Sequence, residues 1–260
     1  MKTILAIPLT TFRFFRVNPC LSVASRCRCL SVAGRCRCLS VAAVVFCQSL
    51  LVAQTPTISP TYPRPAAQSV APRAPGEDWV PLFNGKDLSG WTNIGKEKWE
   101  VQDGTLHGLA VSREYGYLQT DKSYKDFHLS LRFKCEGDGN SGVFFHVNFK
   151  PGTPTVTKGP QFEIDCALGR HTGGVYEQTR KWIVWPSPDN ESVVRPGEWN
   201  DYLLKVEGNH YVSRLNGVVM IDYTDPQPES EDGPIALQLH SGGQGNMRFR
   251  DIIIRDLSKR

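Results

Sequence analysis

The chain has 260 residues, of which 22% are charged and 40% are hydrophobic, and its formal net charge is +4. Seven of the 30 basic residues and none of the 26 acidic residues lie within residues 1–53, so the remainder carries 23 basic and 26 acidic side chains. The positive charge therefore belongs to the amino-terminal segment, and the net charge gives no reason to predict a nucleic-acid partner.

Residues 1–53 have the composition of an export leader. A nine-residue unit rich in cysteine and arginine repeats from Cys20, and residues 39–53 form an apolar run. This run is long enough for the hydrophobic centre of a signal peptide and short for a membrane span. We predict cleavage after Ala53, no stable membrane span in the mature protein, and a periplasmic or extracellular location in a bacterium. The alternative is a leader that is retained as an amino-terminal anchor.

A tether and one folded domain are predicted to follow the leader. Residues 54–76 contain six prolines separated by small polar residues, a composition that predicts an extended linker. Residues 77–260 have the length of a single domain with one hydrophobic core. Two cysteines, Cys135 and Cys166, fall within this domain. They are expected either to pair in an oxidising compartment or to remain buried free thiols.

The domain is predicted to consist almost entirely of β-strands. Asp103-Gly104 and Asn216-Gly217 each separate two strand-like segments, which predicts two tight hairpins. Many short antiparallel strands predict an all-β, two-sheet antiparallel β-sandwich of the jelly-roll type. Further strands are predicted over residues 127–135, 143–149, 161–168, 201–207, 235–239 and 247–256.

Strand alternation predicts a polar surface on one sheet. Glu163 and Asp165 share one side of the segment 161–168 and lie about 7 Å apart, because the rise is about 3.3 Å per residue. Gln238 and His240 alternate with apolar residues in the same way. If these strands are neighbours, their polar sides form one surface, which is a common carbohydrate site; a solvated outer face is the alternative. The further candidates for this surface are His146 and Arg250.

Other roles remain open for these side chains. A cluster of His146, Glu163, Asp165 and His240 could hold a divalent cation that polarises a carbonyl group, and no organic cofactor is expected. His240 could instead stabilise the turn that follows it. The aromatic candidates for stacking on a sugar ring, each of which could equally be a core residue, are Tyr176 and Trp185.

A set of motifs in a fixed order gives the domain a family resemblance. The motifs are Pro81-Leu-Phe-Asn-Gly-Lys-Asp-Leu-Ser-Gly-Trp91, Asn140-Ser-Gly-Val-Phe-Phe145, Phe162-Glu163, Gly173-Gly-Val-Tyr176, Gly197-Glu-Trp-Asn200, Ile235-Ala-Leu-Gln-Leu-His240 and Phe249-Arg-Asp-Ile252. Together they resemble the 3-keto-disaccharide hydrolase family from about Trp79 to the end of the chain. The resemblance implies the concanavalin A-like lectin/glucanase fold and cleavage of a glycoside that is already oxidised at C3.

The resemblance also implies roles for individual residues, most firmly for Glu163, Gln238, His240 and Arg250. Our hypothesis is that Glu163 or His240 is the base that removes the C2 proton and that Arg250 stabilises the resulting charge. The expected substrate contacts are Asp165, Gln238, His146, Asn140, Tyr176 and Trp185. Two of these positions differ from the family, which usually has arginine at 146 and glutamine at 165, and this implies a shifted substrate preference or lost activity.

A second resemblance, to laminarinase-like glycoside hydrolases, is incomplete. Glu163-Ile-Asp165 supplies the first two acidic positions of their motif, but the third position is Ala167 or Leu168, and neither can transfer a proton. Ordinary retaining hydrolysis of an unmodified glucan is therefore not expected. The predicted function is cleavage of the glycosidic bond of a 3-keto-glycoside. The alternative is a non-catalytic, lectin-like carbohydrate-binding domain, because the same fold hosts both.

Overall fold

The computed structural model describes residues 78–137, 139–243 and 245–258. The predicted leader (1–53) and tether (54–76) lie outside the described residues. Within the described part of the chain, no helix has the length and apolar character needed to cross a lipid bilayer.

Two antiparallel sheets contain most of the described residues. The eight-stranded sheet runs in the order β15 (Val218–Thr224), β14 (His210–Leu215), β13 (Asn200–Glu207), β6 (Phe127–Cys135), β17 (Asn246–Asp256), β4 (Thr105–Leu109) and β3 (Lys98–Gln102), with β1 (Val80–Pro81) also paired to β17. The seven-stranded sheet runs in the order β12 (Lys181–Val184), β11 (Val175–Glu177), β10 (Gln161–Asp165), β7 (Asn140–Phe144), β16 (Gly233–Leu239), β5 (Gly116–Tyr124) and β2 (Trp91–Ile94). The remaining elements are a hairpin of β8 (Asn148–Phe149) and β9 (Val156–Lys158), and a short helix α1 (Pro188–Glu191).

The sheets pack face to face around one hydrophobic core. Burial alternates along β6, where Phe127, Leu129, Leu131 and Phe133 are buried and the residues between them are partly exposed. Apolar side chains of the seven-stranded sheet fill the opposite side of the same core. Because each strand gives one face to this core, the structure confirms the predicted all-β, two-sheet sandwich.

The predicted turn dipeptides form hairpins, and one predicted strand is interrupted. Asp103-Gly104 joins β3 to β4 and Asn216-Gly217 joins β14 to β15, with positive φ at all four residues, as a type I′ turn requires. The strand predicted over residues 143–149 is wrong as a continuous element. β7 ends at Phe144, and β8 begins only at Asn148, because His146 has a φ of +51° that breaks the extended backbone.

The outer face of the seven-stranded sheet, which points away from the eight-stranded sheet, is partly covered. Tyr117, Phe144, Val147 and Ala236 form a second buried apolar cluster. Phe149, in β8, and Val156, in β9, pack against this cluster. The β8–β9 hairpin therefore covers one part of the outer face and leaves the other part to polar residues.

Two links hold β10 against the eight-stranded sheet. A disulfide joins Cys135, at the end of β6, to Cys166, directly after β10. The hydroxyl of Tyr202, in β13, donates a hydrogen bond of 3.1 Å to the backbone carbonyl of Glu163. Of the two alternatives for the cysteine pair, the structure thus contains the disulfide.

Removing the disulfide is expected to destabilise the domain. The bond closes a loop of 31 residues, and for that length the chain-entropy relation gives about 3–4 kcal/mol. We expect the double variant Cys135→Ser/Cys166→Ser to lose roughly this much unfolding free energy in urea titrations. Added reductant should destabilise the wild type and leave the variant unchanged. Equal stability of the wild type and the variant in the absence of reductant would contradict the prediction.

Candidate functional site

The polar part of the outer face forms a cleft of about 440 Å³. It brings together six of the residues that the sequence predicts for the site, and these residues come from four strands and one strand end. They are Asn140, Glu163, Asp165, Tyr176, Gln238 and His240.

Sheet register explains why these distant residues meet. Asp165 is paired with Asn140 of β7, and Gln161 is paired with Tyr176 of β11. On the far side of β7, Gln238 of β16 is paired with Tyr117 of β5. Since paired residues point to the same face of a sheet, the polar side chains of β10, β7, β16 and β11 line one surface.

Glu163 is a buried carboxyl group at the base of the cleft, with only 3% of its surface exposed. Its neighbours Phe162 and Ile164 point into the core, so alternation directs Glu163 to the outer face. Oε1 accepts a hydrogen bond from Nδ2 of Asn140, and Oε2 accepts one of 2.9 Å from Nε2 of Gln161. Burial raises the pKa of Glu163 to about 8, with a smaller contribution from the nearby Asp165 charge, while the two amide donors act in the opposite direction.

Three amide oxygens of residues that line the cleft lack a hydrogen-bond partner within the described residues. They are the side-chain oxygens of Asn140, Gln161 and Gln238. The Gln161 side chain packs against the backbone of Gly142, because a Cβ atom added at that glycine would come within 2.4 Å of Gln161 Oε1. A buried acceptor without a donor is costly, so these oxygens suit a ligand that is rich in hydroxyl groups.

Asp165 is less buried than Glu163 and is the last residue of β10. One carboxylate oxygen lies 3.3 Å from Nδ2 of Asn140, and the other accepts a 2.8 Å hydrogen bond from the backbone N–H of Ala167. Asn140 therefore contacts both acids, and Asp165 also stabilises the loop that forms one wall of the cleft.

His240 contacts the turn that follows it, as one of the predicted alternatives requires, and it also lines the cleft. Its Nδ1 lies 2.9 Å from the carbonyl oxygen of Ser241, and because a carbonyl can only accept, Nδ1 carries the proton. Nε2 then accepts the hydroxyl hydrogen of Tyr115 at 3.2 Å. His240 thus stabilises the following turn and also presents a tyrosine-bound imidazole to the cleft.

Several lining residues were missed by the sequence analysis. Gln161 shares the alternation of Glu163 and could have been found from it. The others lie on segments for which no strand was predicted, or on the loop between β10 and β11, and these segments show no local polar–apolar pattern. They are Tyr115, Arg170, His171, Gln178 and Trp182.

The predicted placement of Arg250 beside Glu163 is wrong. Arg250 lies in β17, which pairs with β6 and β4 in the eight-stranded sheet. Its guanidinium group is 4.1 Å from the ring centroid of Trp199, and its Nε is 3.5 Å from a carboxylate oxygen of Asp251. Alternation correctly predicted that Arg250 points away from the core. Its strand, however, belongs to the eight-stranded sheet, so Arg250 lies on the outer face of that sheet and not in the cleft.

His146 is also absent from the cleft. Its positive φ interrupts the alternation of β7, and its imidazole is buried, with ring nitrogens 2.8 and 3.2 Å from the carbonyl oxygens of Lys125 and Ser230. The expected four-residue cation cluster is therefore not formed. Among the described residues, no group of three or more His, Cys, Asp or Glu side chains is arranged to hold a metal ion.

Of the two predicted aromatic contacts, only Tyr176 lines the cleft. Trp185 is 53% exposed and lies beside the cleft rather than in its wall. Trp182, which was not predicted, lines the cleft instead, with its ring edge-on to Tyr176 at 5.3 Å between centroids.

The raised pKa of Glu163 predicts a pH-dependent stability. Since the folded-state pKa of about 8 exceeds the usual 4.5, the contribution of Glu163 to stability is fully present below about 4.5 and is lost as the pH rises through 8. We expect the unfolding free energy of Glu163→Gln relative to wild type to increase by a few kcal/mol between about pH 5 and pH 9.

Urea titrations at the two pH values check this prediction. The matched control is Glu231→Gln, which removes an exposed carboxylate and should show no such change. A difference between Glu163→Gln and wild type that does not vary with pH would refute the raised pKa.

Comparison with known proteins gives the same family as the sequence motifs. A curated relative, the 3-keto-disaccharide hydrolase of Bacteroides thetaiotaomicron, is 24% identical over an alignment of 177 residues, and the match covers 56% of this chain and 59% of the relative. The chain thus spans less than two thirds of the length of that relative.

Two solved structures share the fold. A Parabacteroides distasonis ATCC 8503 protein, provisionally described as a glycosyl hydrolase, matches with a TM-score of 0.56 and 23% identity over 70% of this chain and 94% of that chain. A Bacillus subtilis protein of unknown function with a galectin-like fold matches with a TM-score of 0.52 and 15% identity over 68% of this chain and 94% of that chain. Residues 78–255 match the sequence pattern of a domain family. Because this match covers more than half of the chain, the chain belongs to the 3-keto-alpha-glucoside-1,2-lyase-like domain family.

Proposed function

We propose that this domain cleaves the glycosidic bond of a 3-keto-glycoside and that Glu163 is the base that removes the C2 proton. The observation that carries the proposal is the environment of Glu163. It is a buried carboxyl group with a pKa of about 8, and it lies in a polar cleft whose amide oxygens lack partners among the described residues. The family relationship and the name of the curated relative support the same substrate class.

The proposed reaction uses the acidity that a ketone gives to its neighbouring carbon. Glu163 takes the proton from C2, and the electron pair of that bond moves to the C3 oxygen as an enolate. When the C3 carbonyl forms again, a C1–C2 double bond appears and the bond between C1 and the leaving oxygen breaks. Addition of water across the double bond then gives net hydrolysis. A base with a pKa near the working pH suits this proton transfer.

Other lining residues have supporting roles in the proposal. Arg170 lines the cleft and takes the charge-stabilising role that the sequence analysis gave to Arg250. Gln238 and the Tyr115–His240 pair orient the sugar through hydrogen bonds. Trp182 provides an aromatic wall suited to the apolar face of a pyranose ring.

Replacing the carboxyl group of Glu163 should abolish turnover without unfolding the domain. We expect Glu163→Gln to lose at least about 100-fold in kcat on 3-keto-trehalose, because a positioned proton acceptor typically contributes 10²–10⁴-fold. Release of free sugar measures the effect, and Glu231→Gln is the control that should retain full activity. Full activity of Glu163→Gln would refute the assignment.

The pH dependence gives the same test a second readout. Only the ionised form of Glu163 can accept a proton, so kcat/KM of the wild type should rise with pH up to about 8. A flat profile between about pH 5 and pH 9 would contradict the role of Glu163.

A wild type that binds 3-keto-trehalose and plain trehalose alike and releases no sugar from either would support the lectin-like alternative.

We further propose that the domain works outside the cytoplasm, in the periplasm or the extracellular space. The leader-like composition of residues 1–53 and the disulfide between Cys135 and Cys166 support this location. Fractionation of a bacterial host that expresses the full chain is expected to recover the mature protein outside the cytoplasm. Recovery in the cytoplasm alone, with residues 1–53 still attached, would contradict the proposal.

A further inference from the structure

A histidine–carboxylate pair lies in the wall of the cleft, apart from the groups discussed so far. His171 is in the loop between β10 and β11, and Glu191 is the last residue of α1. The Nδ1 atom of His171 lies 2.7 Å from Oε1 of Glu191, and the backbone N–H of His171 donates to Oε2 at 3.1 Å. Both oxygens of this carboxylate are thus directed at one residue.

The burial of the pair is uneven. The side chain of Glu191 is 6% exposed and that of His171 is 34% exposed. The carboxylate is therefore removed from water, while the imidazole can be reached from the cleft that it lines. Because Nδ1 is hydrogen-bonded to Glu191, Nε2 is the ring nitrogen that can exchange a proton with a ligand.

Two aromatic rings and the backbone fix the orientation of this imidazole. The ring of Trp182 is edge-on to His171 at 4.8 Å between centroids, and that of Trp185 lies at 5.7 Å. The backbone of His171 has a φ of +65°, a conformation that is uncommon outside glycine, although histidine adopts it more often than most residues. An ion pair that only tethers a loop to a helix would not require the imidazole to line the cleft.

A carboxylate on Nδ1 has a defined chemical effect on an imidazole. It selects the tautomer with the proton on Nδ1, and it stabilises the positive charge that appears when Nε2 is also protonated. The Nε2–H of such an imidazolium is a proton donor. Elimination from a 3-keto-glycoside needs such a donor wherever the leaving group is a poor anion.

We propose that His171, oriented by Glu191, is the acid that protonates the departing glycosidic oxygen. The inference rests on the proposed function and assigns its second proton transfer. As the C1–O bond breaks, its electron pair stays on the oxygen, the Nε2 proton of His171 moves to that oxygen, and the alcohol leaves. Glu163 holds the C2 proton at this point.

The same pair can complete the hydration step. Water adds its oxygen to C1 and gives a proton to Nε2 of His171, while Glu163 returns its proton to C2. The products are the free alcohol and the 3-keto sugar, and both residues regain their starting protonation states. Glu191 does not contact the substrate in this scheme and is a positioning residue.

The test compares two leaving groups in the wild type and in His171→Asn. Asparagine keeps an N–H near the position of Nδ1 for Glu191 and removes Nε2. The 3-keto derivative of methyl glucoside has a poor leaving group that requires an acid, whereas that of 4-nitrophenyl glucoside leaves as a stable anion. We expect His171→Asn to lose about 100-fold or more in kcat on the methyl compound and to stay within a few-fold of wild type on the nitrophenyl compound.

The matched control is His210→Asn. His210 lies 2.7 Å from a carboxylate oxygen of Asp222 on the eight-stranded sheet, so this variant breaks a histidine–carboxylate pair that does not line the cleft, and it should not change either rate. Glu191→Gln is a second variant in case His171→Asn does not fold. It should show the same dependence on leaving group with a smaller loss, on the order of 10-fold, because the imidazole remains.

The outcomes separate this inference from the function on which it rests. Equal losses on both compounds, or no loss on either, would overturn the acid role of His171 while the wild-type activity upholds the proposed function. A wild type that cleaves neither compound would overturn the proposed function and the acid role together. Only a loss confined to the methyl compound supports His171 as the acid.

Discussion

A carboxyl group held away from water is the constraint on which the candidate site depends. Glu163 lies between two core residues of β10 and therefore has to point to the outer face. The amides of Asn140 and Gln161 donate to its ionised form, and their own oxygens lack partners within the described residues. An amide that turns by 180° exchanges its donor for its acceptor. The same two side chains can therefore stabilise either protonation state, as a group that accepts and returns a proton requires.

Strand order in the seven-stranded sheet concentrates the polar groups. β10, β7 and β16 are neighbours in the sheet although they are separate in the sequence. Their polar side chains Glu163, Asn140 and Gln238 therefore line one cleft, while their apolar side chains pack in the core. The eight-stranded sheet contributes position rather than chemistry. The Tyr202 hydroxyl and Cys135, both from the eight-stranded sheet, fix the position of β10 against that sheet. The same alternation along the strands thus produces both the core and the site, because it places apolar residues on one face of the sheet and polar residues on the other.

Much of the fold could be predicted from the sequence because it is encoded locally. The alternation along β6, β10 and β16 and the two positive-φ dipeptides each identify an element within a few residues. Alternation gives the face on which a residue lies but not the sheet to which its strand belongs, and Arg250 was misplaced for that reason. His146 was misplaced because one residue with positive φ reverses the alternation. His171 and Trp182 reach the cleft from a loop and an edge hairpin, whose positions depend on tertiary contacts rather than on local pattern.

The β8–β9 hairpin also has a consequence for the shape of what can bind. On a bare sheet, a row of polar side chains would make a groove open at both ends, along which a polymer could thread. Here Phe149 and Val156 pack onto the apolar cluster, so the hairpin takes up one part of the outer face and the polar row does not cross the whole sheet. The shape of a ligand is therefore limited by the remaining polar part of this face, which is lined by Asn140, Glu163 and Gln238.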